Sequence, residues 1–263
     1  MPKATSLLNL SGRFGDITFY RRNGKMWARK STNLDKDRIE TDPAFRRTRE
    51  NNNEFAGSGL QVKQLYHALA PYIKPWKGPG LFARFMGIFM RYNKLGLDAR
   101  GIRSFPFSAY PSVFKDFSFG KGPWLSSILK TSCAASLSPD RTAVQLSIPN
   151  LNCAKDIVRP SGATHATVSL LVFTLSDLHY DQFRESWHPL HPGVHAVVTE
   201  ARSPRLDLAN RRPQNIQLDV AFSQPLPPEA LACMALSIHF SQEIDHTHYG
   251  LNQFAVMQIV NAS

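Results

Sequence analysis

Two short segments of the chain carry histidines at spacings that suit a transition metal. HPLHPGVH contains His188, His191 and His195, and DHTH contains His246 and His248. Imidazole nitrogens are frequent ligands of zinc and related ions. Pro189 and Pro192 place the first three on an irregular loop without a paired carboxylate or cysteine, which favours ordinary hydrogen-bonded histidines. The DHTH pair is expected at a strand end, and we predict no metal and no cofactor.

The chain lacks the sequence patterns of nucleophilic catalysis and of phosphate-binding loops. Ser58, in AGSGL, has no strand–turn–helix context of a nucleophile elbow, and no cysteine has a histidine motif beside it. The segment GKGPWLSS lacks the Gly-x4-Gly-Lys-Ser/Thr spacing that cradles phosphates. We therefore predict no catalytic residue and a protein that is not an enzyme, with a metal-dependent enzyme as the third alternative.

Residues 16–30, DITFYRRNGKMWARK, predict a basic β-hairpin. Asn23-Gly24 suits a type I′ turn, which pairs Tyr20 with Trp27 and fixes the register of the two strands. Alternation then separates two faces. The apolar face carries Ile17, Phe19, Met26 and Ala28, and the other face carries Tyr20 and Trp27 bracketed by Arg22, Lys25 and Arg29.

Three interpretations of this hairpin remain open. The cations could follow a phosphate backbone while Tyr20 and Trp27 stack on bases. They could instead make cation–π contacts that close a sheet within the chain. The favoured interpretation is that the hairpin adds its strands to another subunit, because an isolated two-stranded ribbon is only marginally stable and must dock on something.

A long helix is predicted after the hairpin. Asp42-Pro43 is a helix-start signal, with Asp42 as N-cap. Apolar and small polar residues then recur every three or four positions: Phe45, Thr48, Asn52, Phe55, Gly59, Val62, Tyr66 and Leu69. Because this stripe is partly polar, and because Arg46, Arg47 and Arg49 oppose the helix dipole, we predict contact with a partner. The predicted partner-binding residues are Phe45, Arg46, Arg49, Asn52 and Phe55, in addition to those of the hairpin. A second helix is expected over Leu81–Leu97.

From about Thr131 the chain changes to short alternating runs. The runs are TAVQLSIP, HATVSLLVFTL, HAVVTEA, QNIQLDVAF, LACMALSIHF and QFAVMQIVNA, with a further candidate strand at Cys133–Leu137. Such runs between turn residues are typical of an antiparallel β-sandwich. The predicted fold class is α+β: a hairpin arm at 1–40, a helical segment at 41–105, and an immunoglobulin-like β-sandwich at 106–263.

Composition limits the classes of protein that fit. Residues 1–105 hold 20 Lys and Arg against 8 Asp and Glu, a net charge of +12, whereas residues 106–263 hold 11 against 12, a net charge of −1. This asymmetry points to an acidic partner at the N-terminal part. Three scattered cysteines and no signal-peptide pattern favour synthesis in a reducing cytoplasm. The most apolar stretch, Leu81–Met90, is too short to span a bilayer.

Parts of the sequence resemble an uncharacterised bacterial family. The resemblance is carried by GDITFYRRNGKMWARK, DPAFRRTRENNNEF and RPSGATHATVSLL, mostly within the first 70 residues or so. It implies a basic N-terminal hairpin, an Arg-rich helix, a β-rich C-terminal half and a bacterial source. No site residue is carried over from it.

These observations together predict a non-enzymatic structural protein. It would self-assemble through its hairpin and helix into a homo-oligomer, filament, tube or shell, with the sandwich as its body or outer surface. The alternative is a nucleic-acid-binding protein that uses the basic N-terminal part.

Overall fold

A computed structural model describes residues 11–30, 36–120 and 122–263, without the side chains of residues 252–254. The strands are β1 Gly12–Phe14, β2 Ile17–Arg22, β3 Lys25–Lys30, β4 Ala134–Leu137, β5 Ala143–Leu151, β6 His165–Ser176, β7 Leu178–Asp181, β8 Ser186–Pro189, β9 Val198–Arg202, β10 Leu206–Asp207, β11 Gln214–Ala221, β12 Ala230–Ile244 and β13 Thr247–Ala262. The α-helices are α1 Lys36–Thr41, α2 Arg46–Ile73, α3 Leu81–Leu95, α4 Leu125–Ile128 and α5 Cys153–Asp156. The chain divides into two compact units, residues 1–49 and 50–263.

The N-terminal unit contains the expected hairpin and one strand more. Strands β2 and β3 pair in the predicted register, with Tyr20 opposite Trp27 and Arg22 opposite Lys25. Asn23 and Gly24 both have positive φ, as a type I′ turn requires. Strand β1 pairs with β2 on its other edge and gives a three-stranded antiparallel sheet in the order β1-β2-β3.

The long helix begins where the sequence indicates and buries Val62 and Leu69 of the predicted stripe, but its first half buries a different face. Asp42 caps a 3-10 turn, its carboxylate accepting the Ala44 N–H, and α2 follows directly. The buried residues of α2 are Glu54, Gly57, Ser58, Gln61, Val62, Leu65, Leu69 and Ile73. Phe55 and Asn52, from the predicted stripe, are exposed instead. The apolar pattern misleads here because half of the buried face is polar or lacks a side chain.

The C-terminal part contains the predicted strands as antiparallel sheets. A five-stranded sheet has the path β10-β6-β12-β13, with β9 also pairing with β6, and a three-stranded sheet has the order β11-β5-β4. The candidate strand at Cys133–Leu137 is present as β4. Strands β7 and β8 form a separate hairpin in a segment that sequence analysis treats as loop.

The five-stranded sheet lies between two hydrophobic cores. Alternate residues such as Val168 and Leu236 face the three-stranded sheet and form one core with it. The intervening residues, such as Phe173 and Cys233, pack against α2 and α3 in a second core. Unit 50–263 is therefore layered as helices, sheet and sheet.

The α+β class with several antiparallel sheets is thus confirmed. The immunoglobulin-like topology and the three predicted segment boundaries stay predictions. None of the helices within the described residues is long and apolar enough to cross a membrane. Residues 1–10, where a signal-peptide pattern was not found in the sequence, lie outside the described residues.

Candidate functional site

The N-terminal sheet presents two chemically different faces. Strand register places Phe14 opposite Ile17, so β1 adds an aromatic ring to the apolar face that Phe19 and Met26 share. The same register places Arg13 opposite Thr18 and adds a cation to the other face. The predicted surface is therefore wider than the hairpin alone, by a strand that is too short and too glycine-rich to be recognised from alternation.

On the cationic face, aromatic and guanidinium groups lie together. The Arg29 guanidinium lies 5.8 Å from the centre of the Tyr20 ring, within the range of a cation–π contact. Trp27 is 51% exposed beside them. The structure thus brings Tyr20, Trp27 and Arg29 into one surface, flanked at the turn by the Arg22–Lys25 pair.

None of the described residues of the N-terminal unit is buried. Phe14 is 83% exposed and Ile17 is 45% exposed, although both are apolar. Sheets of this size gain their stability by covering an apolar face. The apolar face of this unit is therefore exposed in the structure.

The predicted helix residues have separate roles. Phe45 lies under the Arg38 guanidinium, 5.7 Å from it. Arg49 donates from Nη1 to the backbone carbonyls of Ile39 and Asp42 at 2.8 and 2.9 Å, so it holds the turn before α2. Arg46 and Asn52 are exposed, and Phe55 is 60% exposed. Phe55 is thus the apolar member of this set that is free to meet a partner.

The three histidines of HPLHPGVH do not converge. His188 lies on β8, where its Nε2 is 2.8 Å from Ser186 Oγ. His191 pairs with the Glu229 carboxylate at 3.2 Å. His195 is buried, and its ring is oriented toward the Ser176 backbone carbonyl rather than toward another histidine. The expectation of a wholly irregular loop is wrong, because this segment includes β8 and a 3-10 turn at Pro192–Val194.

One histidine of DHTH does join a cluster that sequence analysis missed. His165, Glu243 and His248 bring one ligand atom each to within 4.8 Å of one another. A usable signal existed, because a two-residue turn at Asp245-His246 would pair Glu243 with His248. His165 could not be added without knowing that β6 pairs with β12.

A polar cleft of about 250 Å³ adjoins this cluster and shares His248 with it. Its other lining residues are Pro75, Trp76, Thr167, Ser169, Arg202, Arg205, His239, Ser241 and Gly250. The strand residues lie on the helix-facing side of the sheet, beyond the end of α2. Arg202 is paired with Glu200 at 2.7 Å, which raises the pKa of that guanidinium.

No protein-family model, curated protein or solved structure matches this chain. The resemblance noted in the sequence therefore stays an expectation.

Proposed function

We propose that this protein is a structural component that self-assembles through its N-terminal sheet. The observation that carries the proposal is that the described part of residues 1–49 contains no buried side chain, although Phe14, Ile17, Phe19 and Met26 share one face. Covering a large apolar side chain contributes about 1.5–3 kcal/mol. A partner surface that covers this face would stabilise the whole unit.

The charge pattern favours contact through the face over pairing through the edge. Lys25, Arg29 and Lys30 follow the outer edge strand β3, and like charges opposed across a new strand pair are destabilising. The apolar face carries its cations, Arg21 and Lys30, at its margins. A second copy of the chain offers a matching apolar face, so we favour packing of two such faces.

Exposed Phe55 gives the helix a contact of its own in the same assembly. With two contact surfaces on one chain, copies can join in a closed oligomer or continue into a filament, tube or shell. The sheets of unit 50–263, proposed as an immunoglobulin-like sandwich, would then form the body. All three cysteines are free thiols, and we propose synthesis in the cytoplasm.

Sedimentation velocity on the full chain tests the assembly. The double variant Phe14→Ser and Ile17→Ser removes the two most exposed side chains of the apolar face without touching the cationic face. We expect the wild type to sediment as an oligomer and the double variant as a monomer with unchanged circular dichroism.

The matched control is Phe183→Ser, because Phe183 is 98% exposed on a turn of the other unit. It removes an equally exposed ring and should leave the oligomer intact. A wild-type monomer at all concentrations, or an oligomer that persists in the double variant, would contradict the proposal.

The cationic face supports nucleic-acid binding as the second candidate. Tyr20 and Trp27 present rings for stacking, and Arg22, Lys25 and Arg29 surround them. Binding of single-stranded DNA should weaken steeply with salt, since each phosphate contact releases a counterion. Self-assembly of a basic surface should instead strengthen as salt screens repulsion.

The variant Arg22→Ala/Lys25→Ala/Arg29→Ala should flatten the salt dependence of DNA binding by about three units of slope at most. Arg159→Ala/Arg211→Ala/Arg212→Ala makes the same change in charge at exposed positions of unit 50–263 and should leave the slope unchanged. Absence of binding at low salt would reject this candidate.

A further inference from the structure

The register of three adjacent strands brings two histidines and a glutamate together. In the β12–β13 hairpin, Glu243 lies directly opposite His248. Strand β6 runs along the other side of β12 and places His165 opposite Ser241, two residues before Glu243 and on the same face. The turn is tight because Asp245 and His246 both have positive φ, at 48° and 60°.

The donor atoms are already close to the spacing of a bound ion. His165 Nε2 lies 3.6 Å from the nearer carboxylate oxygen of Glu243. Around a tetrahedral zinc with bonds of about 2.0–2.1 Å, neighbouring ligand atoms are about 3.3 Å apart. The His165 and His248 rings meet edge to face with centroids 4.8 Å apart. Small rotations of these side chains would complete a three-ligand site.

A single hydroxyl orients both His165 and Glu243. Thr164 Oγ1 accepts the backbone N–H of Glu243 at 2.8 Å and lies 3.0 Å from His165 Nδ1. With its proton directed to the Ser241 carbonyl at 3.4 Å, the hydroxyl accepts from Nδ1–H as well. That assignment leaves the His165 Nε2 lone pair facing Glu243, which is the arrangement that metal-ligating histidines usually have.

Two buried polar atoms at this place have no hydrogen-bond partner. They are Nδ1 of His248 and Nε1 of Trp76. Both residues line the adjoining cleft, and Trp76 is only 7% exposed. Unsatisfied buried groups are costly and mark places where an ion, a water or a ligand binds. The cleft also gives solvent access to the cluster.

We infer that His165, Glu243 and His248 bind a divalent transition-metal ion, with zinc as the preferred ion. Two imidazoles and one carboxylate suit zinc and its neighbours, whereas magnesium and calcium prefer oxygen ligands alone. Three protein ligands leave a position for water or a small anion. His246 lies 3.7 Å from Glu243 but is almost fully exposed, and Arg202 and Arg205 line the adjoining cleft.

Calorimetric titration of the full chain, after treatment with a chelator, tests this site with Zn²⁺ at neutral pH. We expect one Zn²⁺ per chain and no binding of Mg²⁺. His165→Ala, Glu243→Gln and His248→Ala should each weaken the Zn²⁺ affinity by more than about 100-fold, and Thr164→Val by about 10–100-fold. Co²⁺ should give the intense visible absorption of a four-coordinate ion and lose it in the same variants.

His191→Ala is the matched control, because His191 forms an exposed pair with Glu229 at 3.2 Å elsewhere on the surface. It should leave Zn²⁺ binding and the Co²⁺ spectrum unchanged. No Zn²⁺ binding by the wild type, or affinity that is lost in His191→Ala and kept in His165→Ala, would overturn the inference. If His165→Ala fails to fold, the isosteric Glu243→Gln and the variant His248→Gln decide the question.

Discussion

Gly57 and Trp187 illustrate how single residues decide the packing of the helices. The Trp187 ring lies directly on the backbone of α2 at Gly57, where a Cβ would overlap the ring atoms Cε3 and Cζ3. The ring is held in place because its Nε1 donates to the Arg103 carbonyl at 2.7 Å. Glycine here allows close approach of a helix and a β-hairpin, at the cost of helix propensity.

Gly57→Ala is therefore expected to lower the free energy of unfolding by about 1–3 kcal/mol through overpacking. Gly87→Ala, in α3, is the control: no atom outside its own turn lies within 4 Å of a Cβ there. That change should raise stability by up to about 1 kcal/mol. Urea denaturation measures both, and equal effects of the two substitutions would contradict the proposed contact.

His195 gives the fold a dependence on acid. Burial lowers the pKa of His195 to about 4, and the Ser176 backbone carbonyl opposes this only in part. In the unfolded chain the His195 imidazole takes up a proton near pH 6.5, whereas in the folded chain it does so only near pH 4. The contribution of His195 to the free energy of unfolding is thus fully present above about pH 6.5. It declines by about 3 kcal/mol as the pH falls to about 4.

Urea denaturation between these pH values should show that decline in the wild type. His195→Phe should flatten it, since an apolar ring fills the site without binding a proton. His246→Ala, at an exposed turn, should leave the decline as it is. An unchanged decline in His195→Phe would show that other groups cause it.

At the scale of residues, the turn at Asn23-Gly24 and the cap at Asp42 can be predicted from the sequence, because both are local. A site at His165 and Glu243 is not visible in the sequence, because these residues are 78 positions apart and meet only through the pairing of β6 with β12. Local chemistry is visible in a sequence, whereas a site shared by distant strands requires the register of the sheet.

Among the elements, α2 shows why a hydrophobic pattern can be right in one half of a helix, at Val62 and Leu69, and wrong in the other half, at Phe55. Glu54 is only 2% exposed, and its carboxylate accepts from the Gly101 N–H at 2.7 Å and from Arg103 at 2.8 Å through two nitrogens. Gln61 donates to the Trp187 carbonyl at 3.3 Å. These partners make buried polar positions tolerable, and a sequence does not reveal partners that lie 47 residues or more away.

Glu54→Gln should cost about 3 kcal/mol of unfolding free energy, because it leaves the Arg103 guanidinium without its anion in a largely buried place. The control is Glu40→Gln, which breaks an exposed pair with Lys36 and should cost no more than about 0.5 kcal/mol. Urea denaturation at constant ionic strength measures the unfolding free energy of both variants. A small loss at Glu54 would mean that water replaces the carboxylate.

The strands show the opposite case. Strand β6 is apolar from Val168 to Leu175 except for one serine and one threonine. Both faces of the strand are buried. The run was recognised because β-branched residues and flanking turn signals indicate a strand. The extensions of β12 and β13 through DHTH were missed because polar residues occupy them.

On the scale of the whole molecule, the exposed apolar groups and the buried cores belong to different units. The N-terminal unit has cations and exposed apolar groups but no buried described residue, whereas unit 50–263 contains both hydrophobic cores. The arrangement of antiparallel sheets and helices could be predicted from alternation and turns. The sequence does not predict that helices cover one face of the five-stranded sheet, because no local pattern indicates which layers share a core.

The five-stranded sheet that serves both cores has a consequence for unfolding. Neither the helical layer nor the three-stranded sheet can detach without exposing one side of β6 and β12, so both layers should melt in a single cooperative event. Calorimetry of the full chain should show one transition for unit 50–263, with equal calorimetric and van't Hoff enthalpies and coincident loss of helix and tryptophan signals. Two resolved transitions within this unit would mean that the layers are energetically independent. Because the layers share one sheet, we expect the three of them to unfold as a single cooperative unit.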